Sequence, residues 1–380
     1  MHRAALPAIG ILCLAGVAAA EPWTVRMETG GEADSNIARV ETTPTSPRRI
    51  AAGAGRLGAR ITHRGALFGG GYSVDVSGLA RMIASSNDAL DDENVALATG
   101  EASWLHAVGD RPIAFGVHAT AADSVGIMGG VGARTFRNLG GDAMVVVGRG
   151  DDHHLTLGVG GRDFVYKPVL PEGDPHMFNW RGPVANAQLN AMLYQTSDRT
   201  ENLELAASFG FEQRAYASTA ISNCAPDVPV RDPCSAPTAL HRRDRYQRAG
   251  LAVTWTGGVV ATGNYQATVI DSNSYGQSLI RQRITAQVTL ELFSKLLATA
   301  AATLQIDQYP DGIPVQTSVQ HLETTNLEDE NRSSLQILLA RPVSAAWSVE
   351  ARGALWRDFA STAAATFRRT LIYAGVVYAH

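Results

Sequence analysis

The sequence predicts an all-β protein, a transmembrane up-and-down antiparallel β-barrel of about 16 strands, and three observations carry that expectation. Apolar and polar residues alternate with period two along most of the chain. The connections between alternating segments take turns between short and long. Hydrophobic residues make up 45% of the composition, yet no stretch after residue 20 is continuous enough to span a bilayer as a helix.

The first residues read as a signal peptide over 1–20, cleaved before the barrel of 21–380. Met1-His2-Arg3 is a short positive start, Ala4 to Val17 is apolar, and Ala18-Ala19-Ala20 before Glu21 is an A-x-A site. Export places the remaining cysteines, Cys224 and Cys234, in an oxidising compartment. A close, even pair of this kind reads as a disulfide, stabilising by about 2–3 kcal/mol through restriction of the unfolded chain.

Period-two segments then follow near 22–30, 50–63, 66–83, 94–107, 111–123, 142–150, 152–167, 182–196, 201–217, 242–257, 259–272, 280–295, 297–309, 332–343, 346–359 and 367–379. Alternation is cleanest in RQRITAQVTLEL, residues 281–292. Arg281, Arg283, Thr285, Gln287, Thr289 and Glu291 share one face, opposite Ile284, Ala286, Val288, Leu290 and Leu292. Segment 201–217 repeats the rule, with Leu203, Leu205, Phe209 and Phe211 against Glu204, Glu212, Arg214 and Tyr216. Segments 66–83 and 346–359 do the same, with Asp75, Glu350 and Arg352 on their polar faces. A soluble β-sandwich also alternates, but its strands cluster near 5 or 6 residues. The segments here often reach 13 to 17.

Short turns fall at HRG (63–65), GDR (109–111), GDD (150–152), SDRTE (197–201), TGG (256–258), KLL (295–297) and SAA (344–346). Longer links lie between them at 31–49, 84–93, 124–141, 168–181, 218–241, 273–279, 310–331 and 360–366. Strict alternation of short and long is the connectivity of a bacterial outer-membrane barrel, with short periplasmic turns and longer outer loops. Trp23, Trp104, Trp255, Trp347 and Phe359 fall toward strand ends, as an interfacial girdle would.

This reading puts lipid against the apolar faces and a polar lumen against the others. The expected lining residues are Arg56, Arg60, Asp75, Glu204, Glu212, Arg214, Arg281, Arg283, Glu291, Glu350 and Arg352. Arg56, Arg60, Arg281 and Arg283 are expected to bias a channel toward anions, since a guanidinium keeps its charge. Tyr194, Tyr216, Tyr246 and Trp356 reach the inner face by phase. Aromatic planes there suit sugar rings or serve as filler against the wall, and the sequence leaves both open.

Other motifs carry less. GAGRLG, residues 53–58, matches G-x-G-x-x-G but runs into a strand rather than a helix, so it is no dinucleotide site. In RGDDHHL, 149–155, adjacent His153 and His154 point to opposite faces of a strand and cannot chelate one metal together. LEDEN, 327–331, reads as a solvated loop. No catalytic constellation, metal site or cofactor site is expected. A net charge of −4 without a basic, aromatic-interleaved patch argues against a nucleic-acid partner.

Two stretches resemble known families. GGEADSNIARVE, residues 30–41, is similar to the opening strand and loop of several Gram-negative barrel families. These include porin-like proteins and the barrel portions of polysaccharide exporters and surface-lipoprotein assembly factors. The ending LIYAGVVYAH resembles the closing strand of Gram-negative outer-membrane barrels, with His380 where a terminal Phe is usual. The resemblance implies outer-membrane lipid as surroundings and the barrel-assembly machinery as a partner of the last strand. The expected function is an outer-membrane channel for small hydrophilic solutes with an arginine-rich lumen. The alternatives are a conduit for a secreted polysaccharide working with periplasmic export partners, and a structural or adhesive barrel.

Overall fold

The computed structural model describes residues 23–39, 49–127, 135–149, 153–167, 178–223, 235–293, 295–311, 332–357 and 367–380. The expected signal peptide, Cys224, Cys234, Phe359 and the 327–331 loop lie outside them. Among the described residues the strands are β1 (Trp23–Asp34), β2 (Ala52–Leu67), β3 (Gly70–Ala84), β4 (Val95–Ala107), β5 (Ile113–Gly126), β6 (Phe136–Arg149), β7 (His153–Tyr166) and β8 (Trp180–Gln195). The second half adds β9 (Asn202–Asn223), β10 (Ser235–Thr256), β11 (Val260–Ser272), β12 (Leu279–Glu291), β13 (Leu297–Gln308), β14 (Ser333–Pro342), β15 (Trp347–Arg357) and β16 (Arg368–Ala379). Each pairs antiparallel with its sequence neighbours, and β1 pairs with β16, so the sheet closes without an edge. At the seam, His380 and Val25 exchange both backbone hydrogen bonds at 2.9 Å, so the terminal residue belongs to the ladder.

Several ends differ from the sequence reading. The first hairpin turns at Phe68-Gly69, not at HRG, because both residues take a left-handed backbone (φ 52° and 72°) that matches strand twist. Strand β1 runs on to Asp34, and β6 begins at Phe136, inside a stretch expected to be loop. The β9–β10 hairpin is longer than expected, 22 residues in each strand, with Asn223 opposite Ser235 as its last described pair. Between β3 and β4 sits a 3-10 helix, Asp88–Glu93. In the turn after β8, Asp198 accepts from the Thr200 amide (3.2 Å) and hydroxyl (2.9 Å). Side-chain hydrogen bonding from Thr196, reinforced by Thr200, holds the Asp198 carboxyl below its usual value.

One face of the wall is an apolar outer belt. It carries Leu57, Ile61, Val76, Val117, Leu157, Val159, Leu189, Phe209, Leu251, Ile284, Leu304, Ile337 and Ile372, all well exposed. The opposite face is concave, as ion pairs that reach over an intervening strand show. Arg26 on β1 meets Glu350 on β15 across β16 at 2.8 Å, and Arg81 on β3 meets Asp34 on β1 across β2 at 2.6 Å. Side chains converge only toward the inside of a cylinder. An even-stranded closed barrel, apolar outside and charged inside, is an integral protein of the bacterial outer membrane.

The facing has a direct test. Ile284 points outward with 51% of its surface exposed, while the next residue, Thr285, lies on the inner row. Ile284→Arg is expected to cost about 2–4 kcal/mol in a bilayer, and Thr285→Arg far less. Urea unfolding from phospholipid vesicles measures both, and equal costs would remove the lipid from this face.

Among the described residues the aromatic girdle is one-sided. Stacked or tilted pairs Trp23–His63, Trp104–His106, Tyr194–Trp255 and Trp347–Tyr378 all ring the short-turn rim on the outside. Phe68, 85% exposed at the tip of the first hairpin, extends that ring. At the other rim six outward residues are arginines, Arg137, Arg181, Arg243, Arg245, Arg357 and Arg368, set among apolar ones such as Met82, Val125 and Ile280.

Inside, the two halves also differ. Toward the long-loop rim the inner wall is packed. Val95, Leu97, Ala122, Phe136, Phe164, Trp180 and Tyr216 form one buried cluster. Ile37, just after β1, and Leu90 of the 3-10 helix are buried against the inward Ala54 and Ile83. The outer links at these two places therefore turn into the barrel. Toward the short turns the inner wall is polar and more open, as at Glu204 and at Arg60, whose side chain is 55% exposed.

Candidate functional site

The candidate site is the inner wall. Arg56, Arg60, Asp75, Glu204, Glu212, Arg214, Arg281, Arg283, Glu291, Glu350 and Arg352 all lie on the inward row of their strands. They gather on two walls that face each other, since strands eight apart in a ring of sixteen lie across the lumen.

The first wall runs over β15, β16, β1, β2 and β3. Arg56 Nε donates to Glu28 Oε1 at 2.8 Å, and the Glu28 side chain lies over Gly58, where a Cβ would meet its Cγ at 2.6 Å. That explains Gly58, the last glycine of GAGRLG, as room for a neighbour rather than part of a nucleotide loop. The Tyr373 ring lies flat across Gly30 and Gly375, which likewise have no room for a Cβ. Arg56 and Arg352 flank that ring at 5.4 and 5.1 Å from its centroid. Near the outer rim Asp34 accepts from Arg81 Nη2 (2.6 Å) and Arg369 Nε (2.8 Å), and Glu32 pairs with Arg81. Lower down, Arg60 Nε donates to Asp75 Oδ2 at 2.7 Å.

The second wall runs from β7 to β13. Glu212, fully buried, accepts from Arg214 Nε at 2.7 Å and Arg248 Nη1 at 2.9 Å, with Arg162 of β7 at 3.8 Å. Arg214 is sandwiched between the Trp180 and Tyr246 rings, 4.1 and 3.7 Å from their centroids. That stack continues through Phe164 and Phe136, at centroid separations of 5.8 and 5.7 Å. Arg242 grips Asp244 through two hydrogen bonds, 3.0 and 2.6 Å, and covers the Tyr216 ring at 4.1 Å. Arg281 makes a two-pronged pair with Asp307, 2.8 and 2.7 Å. Between the walls, the His118 nitrogens face Asp142 (3.0 Å) and Glu101 (3.2 Å).

Two expectations are corrected by this geometry. An anion bias from four arginines does not follow, because Arg56, Arg60 and Arg281 each neutralise a carboxylate. Among the described residues Arg283 alone of the four has no ion-pair partner. The sugar-stacking aromatics are not laid open to the lumen. Tyr216, Tyr246 and Trp356 are buried, with Arg242, Arg214 and Arg369 over their rings. Tyr194 is on the outside. A bulge between Met192 and Tyr194 reverses the phase of β8, so Tyr194 sits opposite Leu203 and stacks on the outward Trp255.

Sequence reasoning missed Asp34, Arg162, Trp180, Arg242, Asp244 and Arg369. Arg242, Asp244, Arg162 and Arg369 had the right parity within segments already read as strand. Asp34 lay past the expected end of its strand, and Trp180 before the expected start of its own.

No protein-family profile matches the chain. No curated protein matches it either. Solved structures similar over nearly the whole chain include OmpT of Vibrio cholerae, at 10% identity and TM-score 0.44, covering 96% of this chain and 100% of that one. Acinetobacter baumannii OccAB1 is similar at 10% identity and TM-score 0.44, covering 94% and 96%. Pseudomonas putida OprB is similar at 7% identity and TM-score 0.46, covering 94% of each chain. These likenesses are distant, and the assignment as an outer-membrane barrel stands on this chain's own strand order and facing.

Proposed function

We propose that the protein is an outer-membrane channel that passes small hydrophilic solutes and discriminates only weakly by the sign of their charge. The observation that carries this reading is the inner wall, where guanidinium and carboxylate groups line the lumen mostly as pairs. Sixteen strands about 4.8 Å apart and tilted about 40° enclose a cylinder of backbone radius roughly 16 Å. Side chains of one wall cannot bridge that width. Paired charges on facing walls impose fields that order water and favour polar solutes, while their near-cancellation removes a strong preference for either ion. The packed layer at the long-loop end makes that end the narrow one, and the polar half opens toward the short turns. In this reading the partners are outer-membrane lipid, the solutes, and the assembly machinery that receives the last strand.

The test is recording from purified protein in a planar bilayer under a salt gradient. Open channels with a reversal potential near zero are expected. Arg283→Glu, which reverses the one unpaired arginine of the four, is expected to move that potential toward cation preference. A folded barrel that conducts no ions, or one with strong intrinsic selectivity, contradicts the proposal.

A further inference from the structure

On the outside of the barrel, away from the lumen, the wall of β6 to β10 is indented. The concavity measures about 940 Å³, floored by Gly141, Gly161 and Pro183. Gly141 and Gly161 are register partners, and an added Cβ on either would meet nothing closer than 3.6 Å. The hollow is thus open space left by absent side chains and not a close approach of backbones.

The upper margin of this hollow is charged. Asp163, Arg181, Ala215 and Arg243 follow one another in register across β7, β8, β9 and β10, all on the outward face. Arg181 and Arg243 flank the small Ala215, two strand spacings or about 10 Å apart at the backbone. Each is the direct register neighbour of Ala215, so a group seated over Ala215 lies within reach of both long, flexible side chains. Both are exposed, and neither side chain has an ion-pair partner among the described residues. Below the hollow the wall returns to Val159, Ala185 and Phe211, which are apolar.

Height settles what surrounds it. Asp163 stands ten residues along β7 from His153 at the short-turn rim, about 26 Å of rise at a 40° tilt. The apolar belt of such barrels is about 25 Å tall. The guanidiniums therefore sit at the headgroup level of the outer leaflet, and the glycine floor lies beside the top of the acyl chains.

We infer that this groove binds a phosphorylated glycolipid of the outer leaflet. Arg181 and Arg243 hold its phosphate by charge-assisted hydrogen bonds, Asp163 accepts a hydroxyl or amide hydrogen of its sugar, and the glycine-floored hollow takes the inner part of the headgroup and the start of an acyl chain. A group carrying an anion, hydrogen donors and hydrocarbon in that vertical order matches the wall, whereas a free anion uses only its upper margin.

Native mass spectrometry of the full folded chain released from detergent, with diphosphoryl lipid A as the probe, tests the site. The wild type is expected to retain one lipid. The Arg181→Gln, Arg243→Gln double variant is expected to lower the retained fraction about tenfold or more. Gly161→Leu, which fills the floor and leaves both arginines, is expected to lower it as well. Heat-modifiable migration on gels confirms that each variant still closes as a barrel, since all three positions face away from the lumen. Retention that is unchanged in the double variant, unchanged in Gly161→Leu, or abolished by millimolar inorganic phosphate overturns the inference.

Discussion

Glu212→Ala is expected to destabilise the barrel by about 3–5 kcal/mol, one of the largest effects available from a single change in the wall. The carboxylate has no exposed surface and holds Arg214 and Arg248 directly, with Arg162 reaching it across β8. Its removal takes from the buried Arg214 the carboxylate that its Nε donates to, and Arg214 is pinned between two rings and cannot swing into water. Much of the cost is the pair broken at that buried guanidinium, so adding Arg214→Met to the variant is expected to restore part of the loss. Glu204→Ala, on the same inward row but exposed, should stay within about 0.5 kcal/mol. Chemical unfolding in detergent micelles compares the three. Equal losses at positions 204 and 212 would show that the cluster contributes nothing special.

The second large effect is expected at the seam. Asp34→Ala should also cost about 3–5 kcal/mol. Asp34 ties β1 to Arg369 on β16 and to Arg81 on β3, and its Oδ1 accepts the Asn36 amide at 2.9 Å. Strands β1 and β16 are the first and last of the sheet, so this carboxylate joins the two strands whose pairing closes the ring. The variant should lose heat-modifiable migration at a lower temperature than the wild type. Asp75→Ala provides the contrast, because its partner Arg60 is largely exposed and such pairs contribute about 0–1 kcal/mol. A barrel that migrates like the wild type after Asp34→Ala would place the strength of the seam in its backbone ladder alone.

Strand number, pairing order and facing were legible because the lipid demands a hydrocarbon row on every strand. In β12 no inward residue from Arg281 to Glu291 breaks the rule. What the rule does not constrain was lost. Tyr194 follows a bulge, and one inserted residue reverses every later side chain without leaving a mark in composition. The extensions of β9 and β10 beyond residue 217 and before residue 242 stand above the hydrocarbon, where nothing enforces alternation. Inner positions near the outer rim were assumed polar, yet Val95 and Leu97 face inward while Ala96 and Ala98 face outward. The signal was a run apolar on both faces, VALA at 95–98, which marks a strand covered on both sides. The lining charges were found by parity, but pairing was not, since Glu28 with Arg56 or Glu212 with Arg248 depends on register between strands.

The lopsided ring of tryptophan and tyrosine determines how the protein rides in its surroundings. Indole and phenol groups hold one rim at a fixed depth, and the opposite rim has arginines that tolerate a range of positions in the headgroup layer. When bilayer thickness changes, the anchored end keeps its level and the whole mismatch is taken up at the far one. The periplasmic mouth is the datum from which this barrel is measured, and the cell surface is where it yields.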